Sequence, residues 1–167
     1  MNNTKALTRQ PAIRGVIPAI LKAGLLAGSL DILVALIQYN MKTGKNVLIV
    51  LKFIASAVYG KDAMRAGNAM AAIGLGFHFI IAFGWTILFF LLYPIIPLMA
   101  KNKVITGVLY GVFIWLVMNL VVLPMTNVPK SPINIASAIT GMVILVCAVG
   151  LPVSIIAKKY YSKQDKH

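Results

Sequence analysis

Four long, mainly apolar runs divide this chain, at about 15–40, 69–93, 103–124 and 133–157. Nothing else in the sequence limits the fold so strongly. Inside a bilayer the backbone N–H and C=O groups have no water to bond, and an α-helix satisfies them within its own segment. About 20 apolar residues carry such a helix across the hydrocarbon. Charged residues make up only 11% of the chain, where a soluble domain carries about a quarter. The expected class is an all-α integral membrane protein: one transmembrane domain over residues 1–167, built as a four-helix transmembrane bundle.

The punctuation between the runs supports those boundaries. Lys42 and Lys45 close the first, while Pro94, Pro97, Lys101 and Lys103 follow the second. Pro124 ends the third, and Pro129 and Pro132 bracket a loop that cannot continue a helix. Lys158, Lys159, Tyr160 and Tyr161 form a basic and aromatic belt after the fourth. Residues 46–59 are apolar over a stretch too short to span, with Lys45, Lys52, Ser56 and Tyr59 at helical spacing on one side. That pattern predicts an amphipathic helix, interfacial or re-entrant, between the first two spans. Lys5, Arg9 and Arg14 resemble the start of a signal peptide. The run that follows is too long, contains Lys22 and Asp31, and lacks a small-x-small cleavage site, so a retained helix is expected.

A net charge of +13 raises the question of nucleic acid. The basic residues flank the apolar runs and form no stripe with interleaved aromatics, so the expected partners are the bilayer and its anionic headgroups, with no nucleic acid. With four spans, Lys5, Arg9, Arg14, Lys101, Lys103, Lys158, Lys159, Lys163 and Lys166 share one side. Lys42, Lys45, Lys52, Lys61, Arg65 and Lys130 share the other. The excess predicts both termini in the cytoplasm. Cys147, the single cysteine, permits no internal disulfide and reads as a packing residue.

Within this apolar setting, Asp31 stands out. It is one of three acidic residues in the chain, and a carboxylate at bilayer depth costs roughly 2.5–3.5 kcal/mol on insertion scales. Counting about nine residues from the nearer helix ends puts both Asp31 and His78 roughly 13 Å below the same surface. Asn119, Ser137 and Thr140 belong to that half, so every span contributes a polar group to one layer. The opposite half offers little beyond Thr86 and Thr106. The faces agree with the depths: Gly24, Ala27, Gly28, Asp31, Ala35 and Gln38 share one side of the first helix, and Ala71, Gly74, His78 and Ala82 share one side of the second. Gly24, Gly28, Gly74, Gly107, Gly111 and Gly141 are the expected packing glycines, with two Gly-xxx-Gly pairs among them that also suit a homo-oligomer.

Three functions fit a polar layer of this kind. A structural clasp would hold the helices in register. An Asp–His pair could exchange a proton and serve transport or permeation of a proton or small solute. A cofactor or catalytic role has little behind it: His78 with Met118 is a thin haem ligand set, and the chain has no phosphate loop, no Gly-x-Ser-x-Gly, no zinc motif and no carboxylate pair. The expectation is no enzyme, no cofactor and no metal site, with transport first and a non-catalytic scaffold or accessory subunit second. Asp62 and Arg65, three apart in the loop after the amphipathic segment, read as a surface pair or helix cap, or as a lip over the polar layer.

Three stretches carry a family resemblance: Ala27 to Asp31, Ala72 to Phe83 around His78, and Gly107 to Gly111 continuing through Met118 and Asn119 to Pro124. Over about residues 22–125 they resemble small uncharacterised bacterial inner-membrane proteins, more distantly the YagU-like proteins. The resemblance implies a multi-pass bundle in the bacterial inner membrane and brings no substrate or reaction.

Overall fold

The computed structural model describes residues 13–129 and 134–164. Seven helices follow one another: α1 (Ile13–Thr43), α2 (Leu48–Tyr59), α3 (Asp62–Arg65), α4 (Ala69–Leu92), α5 (Pro97–Lys101), α6 (Lys103–Met125) and α7 (Ile135–Gln164). No strand occurs among the described residues. α1, α4, α6 and α7 are each long and apolar enough to cross a membrane, and the shorter apolar α2 lies between the first two. The hydrogen-bond ladder of α6 widens to π-helix at Met118–Val122, and that of α7 at Val146–Gly150.

α1 packs against α4 and α7, and α6 packs against α7. Between α4 and α6 the contact is made by aromatic side chains: Tyr110 sits edge-on to Phe89 with ring centres 4.7 Å apart, and edge-on to Trp85 at 6.4 Å. Backbones meet where side chains are absent. A Cβ on Gly150 would lie 2.1 Å from the Gly107 carbonyl oxygen, and one on Gly111 would lie 2.5 Å from Val146 Cα. Such distances admit only glycine, and they bring α6 and α7 together along the Gly-xxx-Gly ridge.

Burial is concentrated toward the end that carries the start of α1 and the end of α7. The main core joins Ala23 and Ala27 to Phe89, Phe90, Tyr93, Tyr110, Ile114, Ala148, Val149, Val153 and Ala157. Away from that core the bundle loosens. α6 buries nothing beyond Ile114, α7 buries nothing before Ala148, and α1 buries nothing beyond Ile32. One half is therefore tightly packed and the other is looser.

α2 is docked on this looser half. Leu51 joins Ile32 and Ala71 in a small cluster, and a Cβ on Gly74 would sit 1.9 Å from the Leu51 carbonyl oxygen. At its other end, Asn127 beyond α6 donates its backbone N–H to Ala57 O at 3.1 Å and its amide to Val58 O at 3.4 Å. α2 thus connects the head of α4 to the tail of α6. Its expected polar side is not a free surface. Ser56 is fully buried and donates to Phe53 O at 2.6 Å, and Lys52 donates to Ala66 O at 2.6 Å, drawing the return loop back onto α2. The reason is that α2 makes its tightest contact through backbone at Gly74, which turns the small Ser56 inward. Gly60, at φ +64°, makes the reversal that leads into α3.

We expect Gly74→Ala to lower the thermal unfolding midpoint in detergent by an amount matching about 1–3 kcal/mol of overpacking. Gly76→Ala, where a Cβ meets nothing within 4 Å, should be neutral or slightly stabilising because alanine is the better helix former. Equal effects at the two positions would contradict the close α2–α4 approach.

Candidate functional site

The layer forms on α1 and α4. Along the inward side of α1, steps of four residues pass from Ala23 and Ala27, both fully buried, to Asp31 and Ala35, both only half-buried. Asp31 therefore points toward the bundle interior at the level where that interior opens. Its carboxylate makes no hydrogen bond, and no buried side-chain oxygen or nitrogen among the described residues lacks a partner, so the carboxylate is largely but not wholly enclosed.

His78 comes from the facing side of α4. Its Nε2–H donates to the Gly28 carbonyl oxygen at 2.9 Å. That bond fixes the ring on the α1 backbone one turn from Asp31, and with Nε2–H as the donor Nδ1 is the acceptor nitrogen of the neutral ring. Asp31 lies within electrostatic reach of His78 without a hydrogen bond between them. Two residues make the approach available. Gly28 carries no side chain over its carbonyl, and a Cβ there would already press on Phe79 at 3.0 Å and Ala82 at 3.2 Å. Phe79 meets the imidazole edge-on with ring centres 5.5 Å apart. The depth count aligned His78 with Asp31, and the hydrogen bond of His78 goes to the backbone carbonyl of Gly28, three residues earlier on α1.

The other members of the expected pocket find partners on their own helices. Asn119 Nδ2 donates to Trp115 O at 2.9 Å, inside the π-helical stretch of α6. Thr140 Oγ1 donates to Ala136 O at 2.7 Å. Ser137 is exposed, and its backbone N–H takes the Asn134 side chain as a helix cap at 3.0 Å. Short polar side chains in apolar helices commonly bond back to the preceding turn. The structure thus brings Asp31 and His78 together and makes no hydrogen bond between them and Asn119, Ser137 or Thr140. Among the packing glycines, Gly24 faces Phe83, Gly74 faces α2, and Gly107 and Gly111 face α7. Gly141 has only an ordinary contact with the Trp115 ring at 3.4 Å.

The sealed half is more polar than the sequence suggested. Thr86 and Thr106 are buried there, and three further hydroxyls cross between elements. Tyr110 donates to Trp85 O at 2.6 Å, Ser154 to Lys103 O at 2.7 Å, and Tyr161 to Phe90 O at 2.8 Å. The Tyr161 ring also stacks on Tyr93 at 4.8 Å. Both tyrosines of the expected headgroup belt thus pack against the bundle core. Adjacent tyrosines mark an interface equally well, and nothing in their spacing says that they turn inward. Asp62 and Arg65 lie exposed on α3.

No family model, no curated protein and no solved structure matches this chain. Among the described residues, no group of three His, Cys, Asp or Glu side chains could hold a metal ion.

Replacing His78 by leucine should cost about 0.6–1.7 kcal/mol, the measured range for interhelical polar contacts, read as a lowered unfolding midpoint in detergent. Asp31→Asn removes no hydrogen bond and should leave that midpoint within about 0.5 kcal/mol of wild type. A large loss in Asp31→Asn would mean that the carboxylate holds the bundle together.

Proposed function

We propose that this protein moves a proton or a small solute across a membrane, with Asp31 as the group that binds the cargo and His78 as the second titratable group beside it. The observation that carries this reading is the Asp31 carboxylate, without a hydrogen bond and incompletely enclosed, on the inward side of α1 where the packing of the bundle loosens. An ionised carboxylate in that position is tolerable only with water, a proton or a cation for company. Dense aromatic packing around Tyr110 and Phe89 closes the path beyond it, so access is from one side at a time. Passage to the other side then needs the Tyr110–Trp85 contact to part, an alternating motion rather than an open pore. The reading includes both termini in the cytoplasm of a bacterial inner membrane, which turns the open half outward. It includes no enzymatic reaction.

A second reading has its own support. The His78–Gly28 hydrogen bond joins α4 to the α1 backbone, as a structural clasp in a scaffold or accessory subunit would. The exposed glycines Gly76 and Gly84, open on the outer side of α4, leave room for a second copy or another subunit in either case.

Reconstituted wild-type protein should dissipate an imposed pH gradient or admit a small cation, and Asp31→Asn should abolish that flux while the fold survives. His78→Gln should reduce the flux and shift its pH profile, because the amide keeps a donor for Gly28 and loses the titrating nitrogen. Wild-type flux in Asp31→Asn proteoliposomes would rule out the transport reading and favour the clasp.

A further inference from the structure

The sealed end of the bundle carries a second feature, unconnected with Asp31. Between the start of α6 and the end of α7 lies a surface depression of about 340 Å³, lined by Lys103, Ile155, Lys158, Lys159 and Ser162. Three lysines thus border one hollow. No carboxylate answers them among the described residues, where the only acidic side chains are Asp31 within α1 and Asp62 on α3. Like charges gathered together repel one another, and an anion seated between them relieves that repulsion.

The walls of the hollow are fixed to each other. Ser154, fully buried, donates to the Lys103 carbonyl, and Lys158 Nζ reaches the Lys101 carbonyl at 3.4 Å. At the start of α6 the Asn102 side chain already accepts from Val104 N and Ile105 N, and the Asn102 carbonyl accepts from Thr106 N. An anion in the hollow is therefore held by lysine ammonium groups, the Ser162 hydroxyl donating within its own helix to Lys159 O at 3.4 Å. Ile155 faces outward within the lining, and Val104 and Ile105 are exposed nearby, so the basic rim continues into an apolar flank. That combination suits a phosphate whose substituent is a hydrocarbon chain.

We infer that this hollow binds a phosphate group at the membrane surface, presented by an anionic phospholipid headgroup whose acyl chain runs along the Ile155 flank. Free phosphate shares the charge chemistry, and the test separates the two sources. The full chain in detergent is titrated with phosphatidylglycerol, with phosphatidylcholine and with inorganic phosphate, and bound states are counted by native mass spectrometry. The comparison is between Lys103→Gln/Lys158→Gln/Lys159→Gln and the control Lys42→Gln/Lys45→Gln/Lys61→Gln, which removes equal charge at the other end. Circular dichroism checks that both variants keep their helices.

Phosphatidylglycerol should bind wild type more tightly than phosphatidylcholine, and the first variant should weaken it by at least about tenfold while the control changes little. Displacement of phosphatidylglycerol by millimolar inorganic phosphate would keep the phosphate site and overturn the lipid assignment. Equal weakening in both variants, or no preference for the anionic lipid, would overturn the site altogether.

Discussion

The close approach of helix backbones in the terminal half is the constraint on which the rest depends. Lipid tails are as apolar as leucine, so transmembrane helices gain little by hiding apolar surface from one another and associate through packing and hydrogen bonds instead. Here the contact of Gly107 with Gly150 and of Gly111 with Val146 sets the spacing of α6 and α7. That spacing admits Ile114, Ala148 and Val153 as a dry core, and it brings Tyr110 within reach of Trp85. The tyrosine and serine hydroxyls then bond to carbonyls across helices, which fixes register where shape alone would allow sliding.

The same construction explains why the other half is open. Beyond Ile114 the ladder of α6 widens to π-helix at Met118–Val122, and that of α7 does so at Val146–Gly150, where the buried part of α7 begins. Such turns shift the faces of a helix and often lie at functional sites. On the side of them away from the core, neither helix presents buried residues. α2 docks at the gap between α4 and α6, held by Gly74 at one end and Asn127 at the other. Asp31 and His78 stand at the boundary between the two regimes. A carboxylate is more tolerable there than in the sealed core, and a ring can be held by a backbone carbonyl while keeping one nitrogen available.

Much of this architecture is legible in the residues. Hydropathy and proline placement gave the four spans to within a few positions, apart from the far ends of α1 and α7. Those helices continue to Thr43 and Gln164, since a helix need not stop where the hydrocarbon does. Small residues at helical spacing pointed to the inward faces, because packing requires them there. What could not be read is what each polar group bonds to. His78 chose a backbone oxygen, which has no signature in sequence. Asn119 and Thr140 bonded within their own helices, and Ser154 and Tyr161 became cross-links without any distinguishing spacing. Gly150 makes the tightest contact of α7, against Gly107 of α6, and no spacing within α7 marks it.

Water access at Asp31 tests the account most directly. In a Cys147→Ala background, cysteine is placed at position 31 or position 27, and oriented vesicles are treated with a membrane-impermeant thiol reagent from either side. The account predicts that cysteine at 31 reacts from the side opposite the termini and not from theirs, while cysteine at 27, in the sealed core, reacts from neither. Protection of cysteine at 31 from both sides, or labelling at 27 as fast as at 31, would contradict a bundle sealed in one half and open in the other.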